Sequence, residues 1–247
     1  MALNAETRRL TQVHLRLQLG LRAAVIRDII RLFGTWDPFD RESLDKVSLA
    51  VYVLAQQRST NSAALAARYF QMFKEADMGL TIGKAMALAE PPPLQQVRAA
   101  VNATMVSGFW RAIFSGKTTE EARRTALTQL QGSVGRLAMN GGRRTLAGAI
   151  GEDRDYRGRF MRVSDGNPCP FCAMLVGRGP VYLDADSAGA GHKFHDHCGC
   201  TIMPYSGGPW PEENEHLHEQ WQAMKAQGGG DLKDWRQFYS ELTPPQG

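Results

Sequence analysis

The sequence has no apolar run long enough to form a membrane-spanning helix. The best uninterrupted apolar stretch is LAVYVLA at 49–55, far short of the roughly 18 residues that a membrane-spanning helix needs. Charges interrupt the N-terminal segment every few residues, so the segment lacks the apolar centre of a secretory signal. We therefore expect a soluble protein that is made in the cytosol and has no membrane partner.

Cysteine is also scarce. All four cysteines of the 247-residue chain lie within 32 residues, at Cys169, Cys172, Cys198 and Cys200. They are too few and too local to form the disulfide framework of a secreted protein. In a reducing compartment, such clustering points first to a metal.

Several enzyme motifs are missing. GKTTEE at 116–121 is not a phosphate-binding loop, because Arg111 stands where that loop needs glycine. HEQWQ at 218–222 lacks the second histidine of the zinc proteases, and G-x-S-x-G is absent. PCPFC at 168–172 matches half of the deaminase signature, but His14 is the only upstream histidine and no H-x-E is present.

Charge is unevenly distributed along the chain. Residues 1–150 carry 20 Lys/Arg and 11 Asp/Glu, a net charge of +9, whereas residues 151–247 carry 9 and 14, a net charge of −5. The arginines of the first half stand at helical intervals rather than in a run, which is typical of solvated helix faces. A basic half also suits nucleic acid or an acidic protein surface as a partner.

Apolar periodicity predicts long helices in the first half. Spacings of three and four define one helix face between Asn4 and Phe33, formed by Leu10, Val13, Leu17, Leu21, Val25, Ile29 and Leu32. Asn4 is the expected N-cap and Gly34 the expected end. A turn follows, and then a helix from about 41 to 76 that could break near RSTNS at 58–62.

Two further helices are expected before residue 150. Three prolines at 91–93 force an extended stretch, after which a helix runs from about Leu94 to Phe114. Thr118 and Glu121 have the spacing of a capping box, which opens a helix to about Met139.

Beyond that helix, periodicity disappears until about residue 212. FMRV, PVYL and CTIMP are the strand candidates, and PEENEHLHEQWQAMKAQ is a polar helix. A last amphipathic helix places five residues on one side: Leu232, Trp235, Phe238, Tyr239 and Leu242. Such a stripe is typical of a helix that docks on its own chain or on a neighbour.

The cysteines and one histidine have the spacing of metal ligands: Cys169-x2-Cys172, 22 residues, then His195-x2-Cys198-x-Cys200. A Cys-x2-Cys knuckle and a second short group on a returning hairpin complete a tetrahedron, and this donor set favours zinc. Five groups compete for four places. Either three cysteines and His195 bind, or all four cysteines bind with His195 outside them. We favour Cys169, Cys172, His195 and Cys198.

Other interpretations remain open. The cysteines could pair as disulfides in an oxidising setting, or hold no metal. A zinc-supported His-Asn-His nuclease would combine HDH at 195–197 with NEHLH at 214–218. His197 is not expected to be a ligand, because on a strand it would face away from Cys198. A catalytic zinc needs an open position and a nearby acid or base, so we expect a structural site.

The runs FMRVSDGNPCPFCAMLVGRGPVY and KFHDHCGCTIMP contain C-x-x-C-A-M-L, R-G-P-V-Y and H-x-x-C-x-C-x-x-x-P. Together they resemble the C-terminal signature of MuF-like minor head proteins of tailed bacteriophages. The match covers residues 155–205, about a fifth of the chain. It includes residues that are not ligands, namely Arg178, Gly179, Pro180 and Tyr182.

This resemblance implies a virion component present in few copies near the portal, with a role in head assembly or early DNA delivery. Some relatives are fused to a capsid maturation protease, but no protease motif occurs here. Other relatives lack the first cysteine pair, which leaves open whether metal serves the role or only stability. A module of about 50 residues buries too little apolar surface to hold itself, and a structural zinc supplies folding free energy on the order of 10 kcal/mol.

The sequence therefore predicts an α+β chain in three parts: a helical region at 1–150, a zinc-clipped β-rich module at 151–206 and a helical tail at 207–247. We expect a phage minor capsid protein rather than an enzyme, in the virion after assembly in the host cytoplasm. The expected partners are portal or capsid proteins and, through the basic half, packaged DNA. A zinc-supported nuclease and a DNA-binding regulator are the alternatives.

Overall fold

The computed structural model describes residues 5–79, 86–153, 156, 159–182 and 194–242. The described residues form eight α-helices, one π-helical segment and one two-stranded antiparallel sheet. The expected α+β class is confirmed. Within these ranges, no helix has the length and apolar character needed to cross a membrane.

Helices α1 (Ala5–Gly34) and α2 (Arg41–Met78) are the two long helices that were expected before residue 80, the first from its apolar periodicity. The expected end of the first helix at Gly34 is confirmed, whereas its expected N-cap, Asn4, lies outside the described residues. Asp40 caps α2, because its carboxylate accepts hydrogen bonds from two amides of the first turn, at 2.9 and 3.1 Å.

Helix α2 continues through 58–62, so the break considered there is wrong. The Ser62 hydroxyl donates to the side-chain oxygen of Gln18 at 2.7 Å, and the Gln18 side-chain nitrogen donates to the Ser62 carbonyl at 3.0 Å. Two polar residues of this segment, Arg58 and Ser62, are therefore hydrogen-bonded to α1. The hydroxyls of Thr11 and Tyr69 also lie 2.7 Å apart, so α1 and α2 run antiparallel.

The helix expected at 94–114 forms with one irregularity. Helix α3 (Leu94–Val101), a π-helical segment (Asn102–Val106) and α4 (Ser107–Phe114) follow one another without a gap. Buried residues recur every fourth position, at Val97, Val101, Met105 and Phe109. Spacings of four drift around an α-helix by about 40° per step, and the wider π turn keeps these residues on the core side.

Helix α5 (Thr119–Glu152) begins at the predicted capping box. Its expected end at Met139 is wrong, because the helix continues through two adjacent glycines. A Cβ at Gly141 would collide with the Ser59 carbonyl oxygen of α2, and one at Gly142 would lie 2.7 Å from the Ser62 hydroxyl oxygen. The glycines therefore permit close helix packing and do not stop the helix.

The sheet consists of β1 (Arg159–Val163) and β2 (Thr201–Tyr205). Both form where FMRV and CTIMP predicted strands. Of the third candidate, PVYL, only Tyr182 pairs, through an isolated bridge to Phe160. Its last residue, Leu183, lies outside the described residues.

Three short helices pack together after the sheet begins: α6 (Pro170–Val176), α7 (Glu212–Ala226) and α8 (Leu232–Leu242). The last two were predicted. Helix α6 was not, because seven residues give too little periodicity to recognise. Trp235 is fully buried among these helices, so the amphipathic helix docks on its own chain.

Two larger apolar cores organise the rest. The bundle core lies among α1 to α5 and includes Val25, Ile29, Val51, Val101, Phe109 and Leu130. The shared core joins α1, α2 and α5 to the sheet and the cysteines, and includes Leu10, Phe70, Phe73, Leu146, Phe160, Cys172 and Ile202. The shared core has residues on both sides of position 150, and the division into three parts stays a prediction.

Candidate metal centre

The four cysteines and His195 come from two segments that the fold brings together. Cys169 is the N-cap of α6 and Cys172 lies in its first turn. His195 and Cys198 belong to one tight turn, in which the Cys198 amide donates to the His195 carbonyl at 3.2 Å. Cys200 directly precedes β2. A helix start and a turn thus present all five donors to one region.

The donor atoms lie close enough to share an ion. The Nε2 atom of His195 is 3.0 Å from the Cys169 sulfur and 3.2 Å from the Cys172 sulfur, which in turn lies 3.5 Å from the Cys198 sulfur. Two groups have all donor atoms within 4.8 Å of one another: Cys169, Cys172 and His195, and Cys172, Cys198 and Cys200. Cys172 belongs to both. Zinc–sulfur bonds of about 2.3 Å place tetrahedral sulfurs about 3.8 Å apart, so this spacing suits one ion of that size.

The imidazole of His195 is oriented for metal binding. Its Nδ1 lies 2.6 Å from the Asp196 carbonyl oxygen, which can only accept, so Nδ1 carries a proton. In the neutral ring, Nε2 then turns its lone pair toward the sulfurs. Burial lowers the pKa of His195, but the Asp196 carbonyl and the Cys169 thiolate outweigh it and raise the pKa overall. The raised pKa concerns the second proton of the ring, which binds at Nε2, and a metal ion bound at Nε2 would take the place of that proton.

The sulfurs share protons when no cation is present. Hydrogen bonding from Cys172 is the main cause that lowers the pKa of Cys169 to about 5 and of Cys198 to about 2. The pKa of Cys172 is raised, because it donates to neighbouring sulfurs. A dication would release the remaining thiol protons. All four cysteines are free, so the disulfide alternative is not realised in this structure.

A buried arginine of α5 holds the second pair of cysteines. Arg143 Nη2 donates to the carbonyls of Cys198 at 2.8 Å and Cys200 at 2.7 Å. Its guanidinium lies 3.9 Å from the centre of the Phe194 ring, and that of Arg162 lies 4.0 Å from the same ring. Burial lowers the pKa of Arg143 to about 10, so it is cationic at neutral pH. Its charge favours the thiolate forms.

Two comparisons with known proteins bear on the origin of the chain. A family model described as VG15 protein matches residues 4–224. The chain belongs to the VG15 protein family. A stretch of 78 residues is 36% identical to the Gene 15 protein of Mycobacterium phage D29, and covers 30% of this chain and 28% of that relative. The bacteriophage origin is thereby supported. No solved structure matches the chain.

In this member of the VG15 family, His197 lies outside both donor groups. Its backbone has a φ of 64°, and its ring packs against Gly132 of α5, where a Cβ would collide with it. The Arg22 guanidinium donates to the His197 carbonyl at 2.8 Å. His197 therefore joins the turn that carries His195 and Cys198 to the helices.

The segment NEHLH, the second half of the nuclease alternative, is engaged in packing. The Asn214 side-chain nitrogen is buried and donates to the carbonyls of Arg162 and Val176 at 2.8 and 2.9 Å. The Nδ1 atom of His218 lies 2.8 Å from the Gly177 carbonyl. These contacts join α7 to β1 and to the end of α6.

Helix α8 supports the first cysteine pair from the other side. The Trp235 indole donates to the Pro170 carbonyl at 2.6 Å, and the Tyr239 hydroxyl donates to the Pro168 carbonyl at 3.2 Å. Tyr182, one of the non-ligand residues in the MuF-like resemblance, donates its hydroxyl to the Leu175 carbonyl at 3.0 Å. The knuckle that carries Cys169 and Cys172 is thus held by residues remote in sequence.

Sequence reasoning did not identify Arg143 as part of the site. A signal was present, because an α5 extended beyond Met139 places Arg143, Leu146 and Ile150 on one face at spacings of four, three and four. An arginine on an apolar face must find buried acceptors. Because α5 was expected to end near Met139, this pattern beyond Met139 was not recognised.

Proposed function

We propose that this protein is a MuF-like minor capsid protein, a structural and interaction component of the phage head near the portal. Family membership over residues 4–224 supports a phage role. The observation that carries the narrower proposal is the closed cysteine and histidine cluster, which stands where the sequence resembles the MuF-like signature. Portal or capsid proteins are the proposed partners, and the virion is the proposed location.

We propose further that the cluster holds a structural zinc ion through Cys169, Cys172, His195 and Cys198. Contacts of 3.0 to 3.5 Å run from Cys169 through His195 and Cys172 to Cys198. Cys200, which lies within 4.8 Å of the Cys172 and Cys198 sulfurs, is the fifth candidate, and in this proposal it stays a thiol. Zinc would join the start of α6 to the turn before β2. Structural sites fill all four positions with protein ligands, and two of the three proposed cysteine ligands, Cys172 and Cys198, are buried.

Elemental analysis tests the ligand set. Purified protein should contain one zinc per chain, Cys198→Ser should lose it, and Cys200→Ser, the matched control, should retain it. Zinc-free native protein would exclude a zinc site. If Cys200→Ser lost the zinc and Cys198→Ser retained it, Cys200 would be the fourth ligand and Cys198 the remaining thiol.

The absence of catalysis is part of the proposal. His197 and Asn214, which a His-Asn-His nuclease would need, are occupied by packing contacts. Purified protein with magnesium or manganese should leave duplex DNA intact. Cleavage that disappears in His197→Ala would replace the structural role with a nuclease.

Mass spectrometry of particles tests the capsid role. Procapsids and mature particles of a phage that encodes this chain should both contain the protein, in a few copies per particle. Its presence only in the free fraction of the lysate would contradict the proposal and favour a DNA-binding regulator.

A further inference from the structure

The outer face of α1 carries a line of arginines. At 100° per residue, Arg9, Arg16, Arg27 and Arg31 lie within about 60° of one another around the helix. All four are exposed. They span 22 residues, or about 33 Å at 1.5 Å per residue. We call these four residues the arginine stripe.

The acidic residues of α1 do not neutralise this stripe. Helix α1 has six arginines and two acids. Glu6 pairs with Arg9 at 2.6 Å, and Asp28 pairs with Arg58 at 2.7 Å and more distantly with Arg31 at 3.7 Å. Within the described ranges, Arg16 and Arg27 have neither an ion pair nor a hydrogen bond. The middle of the stripe therefore has uncompensated positive charge.

A glycine lies in the stripe at a position where no described part of the chain packs against it. Gly20 lies in the interior of α1 on the same face, and a Cβ added there would meet no atom within 4 Å. Glycine inside a helix lowers its stability relative to alanine. Unlike Gly141 and Gly142, Gly20 makes no close contact with another element among the described residues. It does leave the helix backbone open to close approach from outside, between Arg16 and Arg27.

We propose that the arginine stripe binds the phosphate backbone of duplex DNA without sequence preference. Guanidinium groups bind phosphate oxygens in pairs of hydrogen bonds, and a fixed row of them on a rigid helix suits a polyanion. Exposed apolar side chains of α1, namely Val13, Leu17 and Ile30, lie on or beside the stripe, whereas its centre between Arg16 and Arg27 is formed by Gly20 and Ala23. A centre of this kind favours a polyanion over a protein interface, whose centre is apolar. The inference deepens the proposed role in the head by naming packaged DNA as a contact of α1.

The salt dependence of binding gives a quantitative test. Four phosphate contacts predict an affinity for a duplex of mixed sequence that falls roughly 150-fold between 50 and 200 mM salt, because each contact contributes about 0.9 to the logarithmic slope. In the double variant Arg16→Gln/Arg27→Gln, the decrease should be only about 10-fold. Fluorescence anisotropy with purified protein measures both.

A charge-matched variant is the control. Arg41 and Arg98 are exposed on α2 and α3, so Arg41→Gln/Arg98→Gln removes the same charge elsewhere and should keep the wild-type slope. Equal slopes in the two double variants would overturn the proposal, as would no binding at 50 mM salt. Binding of polyglutamate as tight as that of DNA would assign the stripe to an acidic protein instead. These outcomes are independent of whether particles contain the protein.

Discussion

At the scale of single residues, Arg143 links the helices to the candidate metal centre. It is 1% exposed and donates to the carbonyls that follow two candidate ligands. A buried cation of this kind is tolerated only with several acceptors and nearby negative charge. The sulfurs and carbonyls of the turn meet that need, so the turn and the arginine depend on each other.

Replacing this arginine tests the dependence. Arg143→Met should lower the free energy of unfolding by about 3 to 5 kcal/mol, because the carbonyls of Cys198 and Cys200 lose their donor in a buried site. Zinc affinity, measured by competition with a chelator, should fall as well. Arg144→Met is the neighbouring control on an exposed residue, and it should change stability by less than about 0.5 kcal/mol. Equal effects would contradict the role of Arg143.

The contact between His14 and Tyr69, at the edge of the shared core, should weaken in acid. The centres of the His14 and Tyr69 rings lie 4.4 Å apart, and within the described part of the chain neither ring nitrogen of His14 has a hydrogen-bond partner. Burial lowers its pKa from 6.5 to about 4. The unfolded chain therefore binds a proton near pH 6.5, whereas the folded chain does so only near pH 4. Stability from this residue is complete above pH 6.5 and is lost as the pH falls toward 4.

The size of this effect follows from the shift. Denaturant titrations should show that His14 lowers the free energy of unfolding by about 3 kcal/mol as the pH falls from 6.5 to 4. His14→Phe retains the stacking and should remove this part of the pH dependence. His216→Gln changes an exposed histidine and should leave the dependence as in the wild type. An unchanged profile in His14→Phe would show that other groups cause it.

At the scale of elements, the packing of α5 on α2 depends on two glycines. Gly141→Ala should lower the free energy of unfolding by about 1 to 3 kcal/mol, because its methyl group would collide with the Ser59 carbonyl. Gly148 lies in the same helix, and a Cβ there meets nothing within 4 Å. Gly148→Ala should therefore raise stability by up to about 1 kcal/mol. Changes in stability of opposite sign in the two variants, measured by thermal unfolding, would verify the contact. Changes of the same sign would contradict it.

An element can be predicted from the sequence when neighbouring residues determine it, and cannot when contacts with distant residues do. Apolar periodicity and the capping box of Thr118 are local, and they located α1, the start of α2 and the start of α5. The end of α5 depends on Gly141 meeting α2, a partner that no local pattern reveals. The cysteine spacing indicated the donor set. The residues that orient it, Arg143 and Trp235, come from distant elements whose contacts exist only in the folded chain.

At the scale of the whole molecule, the candidate metal centre packs against only part of the helical region. Cys172, Cys198 and Cys200 lie in the shared core with Phe70 and Phe73 of α2. The bundle core contains none of the four cysteines. Changes at the metal centre should therefore reach one end of α2 and leave the other unaffected.

Hydrogen exchange after metal removal tests this division. A chelator should increase exchange at 159–176 and 198–205, since the proposed zinc joins these segments, and more weakly at 66–73 through the shared core. Exchange at 47–55 and 97–109, in the bundle core, should remain as before. Added zinc should restore protection, which controls for irreversible damage. Unchanged exchange at 159–176 and 198–205 would show that these segments keep their form without the ion. A uniform increase would show one cooperative unit in place of two coupled cores.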